Sequence, residues 1–468
     1  MADTTAGDHK QFQAAPFADA SRYTASALAA AAPDAGTGDL TTADGTPLKA
    51  ALAKAQRQAR VRAFILVAPL LAFILITFIA PIGSMLFRSV NNDAFSANAP
   101  ALSQWFDENP GVIGVPEDEA AWEALAADMK VAKKERTAGQ MGTRINYDLP
   151  GSRSLFTKTG RRAARLEAPF KEAFAKTDKR WTEADLWGVM RRASSPNTAS
   201  FYYSAVDLTQ QPDGSVVAVD PKRAVYVDLF QRTLILSAVI AGLCLLLGFP
   251  VAHMLATVPM RYANLLLILV LLPFWTSLLV RTTSWMVLLQ SQGVVNDALD
   301  ALVFFDFLNV IQAFDPLQAM GVIGTTGRVE MMYNQAGTII AMVHILLPFM
   351  ILPLFSVMKT IPPSYVRAAR SLGASQARAF WKVYFPQTIP GIGAGLLLVF
   401  ILAVGYYITP ALVGGASGQL ISNLIAFHIE KSFNWSLAAA LSAILLALVL
   451  ILYWLYDRII GIDNMKLG

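Results

Sequence analysis

The sequence is poor in cysteine and in charge. Cys244 is the only cysteine among 468 residues, which excludes an intramolecular disulfide and any Cys-based zinc site. Set among Leu243 and Leu245 to Leu247, it reads as a small buried hydrophobe. Charged residues make up 15% of the chain and hydrophobic ones 55%, against about 25% charged in an average soluble domain. The mean hydropathy is +0.46. These values exclude an intrinsically disordered chain and argue against an ordinary cytosolic enzyme. No Gly-x-x-x-x-Gly-Lys-Ser/Thr phosphate loop, His-Glu-x-x-His or Gly-x-Ser-x-Gly occurs, so no ATPase or catalytic centre is read from the chain. No metal site or cofactor is expected in it either. The net charge of +5 comes from dispersed basic residues without a nucleic-acid motif. It is read as the basic excess of cytoplasmic membrane loops, and nucleic acid is not expected as a partner.

What is present is a set of long apolar runs, at about 63–87, 231–256, 263–290, 337–358, 391–413 and 437–456. Each is long enough to cross a hydrocarbon core about 30 Å thick, which predicts six membrane helices. Residues 1–60 read as a cytoplasmic tail, disordered over 1–48 and a short basic helix over 49–62. Lys54, Arg57, Arg60 and Arg62 precede the first span at 61–89, which places the N-terminus inside. Segment 359–390 carries Lys359, Arg367, Arg370, Arg378 and Lys382 and no acid, and Arg458 and Lys466 follow the last run. Asp297, Asp300, Asp306, Asp315, Glu330 and Glu430 occupy the opposite loops. Both termini are therefore expected in the cytoplasm.

Residues 90–225 are too polar and too long for a connector. Helical spacing predicts helices over Glu119–Arg136, Arg161–Lys176 and Thr182–Ser194, with Thr182 and Asp185 as a capping pair. Phe201–Val206 and Ser215–Val219 flank Pro212-Asp213-Gly214 and read as a hairpin. The expectation is a mostly helical extracytoplasmic insertion, followed by a membrane core over 226–464.

The most informative segment runs from Ser364 to Pro386. Pro362-Pro363 bars continuation of the preceding helix, and Ser364 can cap the next. Tyr365, Ala368, Ala369 and Leu372 then share one apolar face, and Gly373 suits a left-handed helix end. Ser375 can cap a second helix with Ala377, Phe380, Trp381 and Tyr384 on one face, and Pro386 is expected to end it. A short amphipathic helix pair between two spans is either a docking element for a partner's groove or a bent loop packed on its own bundle.

This segment resembles the "EAA" coupling loop of permease subunits in binding-protein-dependent ABC importers. Ala368, Ala369, Gly373 and Pro386 fall on that pattern, Val383 and Phe385 replace its Ile and Leu, and Arg367 stands at its acidic position. The salt bridge an acid would make there is not available to this chain, whereas the helix-in-groove contact is. Leu272–Trp285, Gly248–His253, Leu347–Pro353 and Thr409–Gly415 are similar to segments of spermidine/putrescine-type permeases. The resemblance implies an all-α, six-span type I importer permease with a long insertion between spans 1 and 2, placed in a bacterial inner membrane. It implies two ATP-binding subunits that bind ATP and Mg, a second permease subunit, a periplasmic solute-binding protein and membrane lipids as partners. Arg367, Ala368, Ala369, Leu372, Gly373, Phe380, Trp381 and Pro386 become the ATPase-coupling residues.

The cargo suggested by the resemblance is a polyamine. Relatives that carry polyamines often have acids at the positions held here by Tyr406 and Ala411. No run contains an acid in its interior; a cation could still be held by the aromatic faces of Trp275, Trp285, Tyr406 and Tyr407, whose other reading is interfacial anchoring or bundle packing. Arg281, a charge inside a span, faces the interior or a partner, or snorkels outward. His253 and His344 are read as structural. Another solute on the same machinery (opine, phosphonate, sulfate or thiamine) is the alternative cargo. A stand-alone channel or secondary transporter, or a membrane sensor using the insertion, is the alternative class.

Overall fold

The computed structural model describes residues 48–211, 214–302 and 328–460, with residues 315 and 318. The expected tail up to residue 47, the hairpin-tip residues Pro212 and Asp213, Asp306 and Lys466 lie outside them. The chain divides into two compact units, Met1–Pro81 and Ile82–Gly468. In the first, α1 (Leu48–Ile74) is followed by a π turn, Leu75–Ile79, in which Ala80 N donates to Leu75 O. Pro81 lies two residues past that turn. The i to i−5 bond widens the backbone where a proline ring would otherwise press on the preceding turn. After it the helix continues as α2 (Ala80–Val90).

The membrane part of the second unit is built on α10 (Tyr226–Thr257), α14 (Gln335–Thr360) and α17 (Phe385–Gly405). Met350 of α14 sits between glycines of its two neighbours. A Cβ at Gly395 would lie 2.6 Å from Met350 Sδ, and one at Gly248 would lie 3.1 Å from its Cγ. Small residues on facing helices let the backbones approach closely, which is how membrane helices gain packing energy. The last span, α20 (Trp435–Ile460), packs beside α19 (Ile421–Glu430).

Among the described residues, five helical segments are long and apolar enough to cross a membrane: Ala53–Val90, Tyr226–Thr257, Gln335–Thr360, Gln376–Gly405 and Trp435–Arg458. The sixth run, expected to be continuous over 263–290, is instead a broken pair. Here α11 (Met260–Leu271) runs through a 3-10 turn at Leu272–Trp275 and meets α12 (Leu278–Leu288) at a bend of 95°, and the short α13 (Val294–Ala301) follows. Pro273 and the Ser277 cap, whose Oγ accepts from Val280 N, start a new helix here. The run expected at 391–413 also divides, because α17 stops at Gly405 and α18 (Ile408–Val413) is separate.

Residues 91–225 form a helical lobe: α3 (Pro100–Glu108), α4 (Glu119–Glu135), α5 (Ala138–Asp148), α6 (Ser152–Arg162), α7 (Phe170–Thr177), α8 (Ala184–Ser194) and α9 (Ser200–Ala205). Its core centres on Trp122, Trp181 and Trp187, all fully buried. Their indole N–H groups donate to Pro116 O, Thr159 Oγ1 and Trp181 O respectively. Asp128 caps α3 by accepting from Ala101 N and Leu102 N. Burial raises the pKa of this carboxyl, and the two amides work against that rise.

Three local expectations fail in this lobe. Arg161–Lys176 is not one helix, because Pro169 separates α6 from α7. Thr182 does not cap α8. Its hydroxyl donates to Lys179 O, and α8 begins at Ala184. Phe201–Val206 is the helix α9, since Phe201 and Ala205 at helical spacing enter a cluster with Phe230, Leu437 and Leu441. The hairpin lies after it, with β1 (Leu208–Gln210) antiparallel to β2 (Val216–Ala218) and Leu208 opposite Ala218.

The lobe is tied to the spans by polar contacts. Asn92 Nδ2 donates to Ser436 Oγ at 2.9 Å and Tyr147 OH to Phe433 O at 3.0 Å. Asp207, with φ of 57°, accepts from Val225 N, Tyr226 N and Val227 N and so caps α10 from outside the helix. Asp207→Ala is expected to cost about 1–2 kcal/mol, the range for loss of a helix cap. Thermal denaturation of the purified chain measures this, and Asp207→Asn, which keeps one acceptor and tolerates positive φ, should fall between the two.

Candidate functional site

Two places gather the residues singled out in the sequence. The first is at the broken helices. Thr282 Oγ1 and Thr409 Oγ1, both fully buried, lie 3.2 Å apart and join α12 to α18. Where α17 stops, the free carbonyls are taken up by α19: Ser422 Oγ donates to Tyr406 O at 2.6 Å and Asn423 Nδ2 to Tyr407 O at 2.7 Å. Around this junction Trp285 Nε1 donates to His344 Nδ1 at 3.0 Å, with the two rings 5.3 Å apart in an edge-to-face arrangement. Arg281 lies close enough to act electrostatically on both His344 and Tyr406. Its Nε is buried and has no hydrogen-bond partner among the described residues.

Of the five residues expected along a path, Arg281 and Trp285 share the half-helix α12, where Trp285 meets His344, and Tyr406 is held through its carbonyl by Ser422. Trp275 is 76% exposed at the bend, and its side chain makes no ring contact or hydrogen bond among the described residues. Tyr407 has an exposed side chain and is fixed through its backbone. His344, read as structural from its sequence context, is the acceptor for Trp285. Its position on α14, remote in sequence from Trp285, gives no spacing signal.

The second place is the helix pair after α14. α15 (Pro363–Ser371) starts at Pro363 with Pro362 as N-cap residue, so Ser364 does not cap it. It ends in a Schellman arrangement: Gly373 N donates to Arg370 O and Ala374 N to Ala369 O, with φ of +90° at Gly373. Ser375 Oγ accepts from Arg378 N and opens α16 (Gln376–Ala379).

Pro386 does not end this second helix. A π turn at Phe380–Tyr384, closed by Phe385 N donating to Phe380 O, carries the chain past the proline into α17. Val383 O accepts from Gln387 Nε2 at 2.6 Å. The helix pair is therefore continuous with a span. Phe380 stacks on Tyr384 and meets His253 of α10 edge-to-face, and Tyr384 OH lies 3.1 Å from His253 Nδ1. His253 thereby ties α10 to the helix pair.

The apolar face of α15 is left uncovered. Leu372 is 89% exposed and Tyr365 51% exposed, and Trp381 on the following turn is 61% exposed. Ala368 is exposed and Ala369 half-buried. A groove of about 830 Å³ between α15 and the π turn is lined by residues including His253, Arg367, Arg370, Phe380, Trp381 and Tyr384. The face of Tyr365, Ala368 and Leu372 is thus not covered by the chain's own bundle, whereas Phe380 and Tyr384 of the second helix do pack on it.

Several helices long and apolar enough to span a membrane, two of them interrupted, together with an uncovered helix pair continuous with a span, describe a multi-pass membrane protein. Residues 245–460 match the family described as "binding-protein-dependent transport system inner membrane component". The spermidine/putrescine transport system permease protein PotB of Escherichia coli is 34% identical over 261 residues, covering 55% of this chain and 86% of that protein. The protein of the same name from Haemophilus influenzae is 35% identical over 241 residues, covering 52% and 77%. A solved bacterial ABC transporter involved in the import of the acidic polysaccharide alginate overlaps with a TM-score of 0.38 at 21% identity, covering 50% of this chain and 79% of that one. The chain belongs to the family of inner-membrane permeases of binding-protein-dependent ABC importers.

The Trp285–His344 bond can be tested by a double-mutant cycle on thermal stability. Trp285→Phe and His344→Ala should each destabilise the chain and be coupled by about 1 kcal/mol, the net worth of one hydrogen bond. A coupling near zero would show that the bond is not made.

Proposed function

We propose that this chain is one of two permease subunits of an ABC importer that brings polyamines of the spermidine/putrescine class across a bacterial inner membrane. The observation that carries the reading is the 34% identity to spermidine/putrescine permeases over 86% of the length of the Escherichia coli protein. Both termini lie in the cytoplasm in this reading, and residues 90–225 lie outside. A periplasmic binding protein delivers the solute, and two ATP-binding subunits hydrolyse ATP. The helix pair from Pro363 to Tyr384 seats in a groove of an ATP-binding subunit. Movement there passes through the π turn into α17 and through Tyr384 and His253 into α10, which reopens the route on the other side.

A polyamine in this chain meets aromatic faces instead of carboxylates. Trp285, Tyr406 and Tyr407 each offer about 0.5–2 kcal/mol of cation–π attraction. A second reading has one observation in its favour. Arg281 lies in the first turns of the half-helix α12, near its positive dipole end, and that combination suits an anionic solute such as sulfate.

The two readings separate in proteoliposomes containing this chain, the second permease, the ATP-binding subunits and the binding protein. Putrescine or spermidine should raise ATP hydrolysis several-fold and sulfate should not. The reverse result would overturn the polyamine reading. Gly373→Pro tests the coupling role. Proline cannot reach φ of +90° and removes the N–H bonded to Arg370 O. The variant should insert in the membrane normally yet fail to co-purify with the ATP-binding subunit. Stoichiometric co-purification would show that this turn does not dock.

A further inference from the structure

Lys359, Arg367, Arg370, Arg378 and Lys382 are the only charged residues of segment 359–390, and all five are exposed. Some cations elsewhere pair with carboxylates of the chain, such as Arg144 with Asp148, Arg180 with Asp178, Arg232 with Asp228 and Arg328 with Asp297. Among the described residues, none of the five in this segment has an ion-pair partner. Two of them are placed together by the fold. Arg367 and Arg370 border both the groove of about 830 Å³ and an adjoining hollow of about 680 Å³ formed with Gly373, Ala374, Ser375 and Gln376. Leu372, almost fully exposed, stands at the same tip. The surface is thus an apolar tip and an aromatic-lined groove edged by cations alone.

We propose that this surface docks to an ATP-binding subunit whose facing rim is acidic, so that carboxylates of that subunit pair with Arg367 and Arg370 while Leu372 enters an apolar pocket. The inference rests on the docking role given above and adds its electrostatic polarity. Charge complementarity selects the occupant: the segment presents five exposed cations and no anion, so a partner surface with carboxylates facing Arg367 and Arg370 is complementary to it. The shape favours a protein over lipid headgroups. The face of α15 between Tyr365 and Leu372 is made by Ala368 and Ala369, which admit close approach of another backbone. Helices that lie in a membrane interface instead bury a broad face of large apolar side chains.

The test uses the full chain in detergent with its own ATP-binding subunit, read as binding affinity and stoichiometry. The double variant Arg367→Glu, Arg370→Glu should weaken association by on the order of 10-fold or more. Arg replacement of an acidic residue on the rim of the ATP-binding subunit should restore it, and the wild-type affinity should fall as salt is raised. Leu372→Asp serves as the reference for docking itself. If Leu372→Asp abolishes association while the charge reversals leave it unchanged, the polarity is wrong and the docking role stands. If neither change has an effect, the docking role fails. If the charge reversals act only in bilayers containing anionic lipid and have no effect in detergent, the cations face headgroups and the proposal is overturned.

Discussion

Backbone hydrogen bonding at membrane depth is the constraint on which this structure turns. A helix inside a bilayer satisfies its own N–H and C=O groups. Any interruption leaves groups that water cannot reach, at a cost of several kcal/mol each. Among the described residues the membrane helices are interrupted at residues 272–277 and at Tyr406 and Tyr407. Each interruption is answered by side chains: Ser277 caps α12, and Ser422 and Asn423 hold the carbonyls of Tyr406 and Tyr407. The Thr282–Thr409 contact ties one interruption to the other. Beside this junction Trp285 and His344 partner each other, while the buried Nε of Arg281 has no hydrogen-bond partner among the described residues.

A different solution appears at two prolines just inside long helices. The π turns Leu75–Ile79 and Phe380–Tyr384 each end two residues before a proline, Pro81 and Pro386. The extra residue in the turn makes room for the ring and keeps the helix running. At Pro386 this has a structural result. A helix that ended there would join the helix pair to α17 through a loop. The continuous helix Gln376–Gly405 instead joins the second helix of the pair directly to the span.

Local rules account for the parts of the fold that are legible in the sequence. Five of the six apolar runs correspond to single helices at least in their central part, since length and apolarity alone specify a span. Gly373, Ser375 and the exposed face of α15 are legible because a left-handed helix end, a cap and a 3.6-residue period are each written in adjacent residues. The illegible parts depend on partners distant in the chain. Phe201–Val206 carries aromatic and β-branched residues that suit a strand, and contacts with Phe230, Leu437 and Leu441 make it a helix. The 95° bend needs the α18 side chain Thr409 to hold α12 in place. His344 gains its role from Trp285, 59 residues away. Pro386 misleads because the proline rule for regular helices does not hold at a position preceded by a π turn.

The net charge of the chain shows how local and global demands meet. Segment 359–390 carries five basic residues and no acid, and the whole chain has a net charge of +5, so the remainder of the molecule is electrically balanced. A cluster of that sign beside two spans is what the positive-inside rule asks of a cytoplasmic loop. Orientation alone does not require the cations to be arginines bordering a groove. Lysines dispersed along a loop would serve equally well, because the rule counts charge and not geometry. Arginine adds a planar fork that holds a carboxylate in two parallel hydrogen bonds. Arg367 and Arg370 are held on a helix whose end is fixed by the Gly373 turn, so their placement has the precision that recognition of a partner needs and membrane insertion does not.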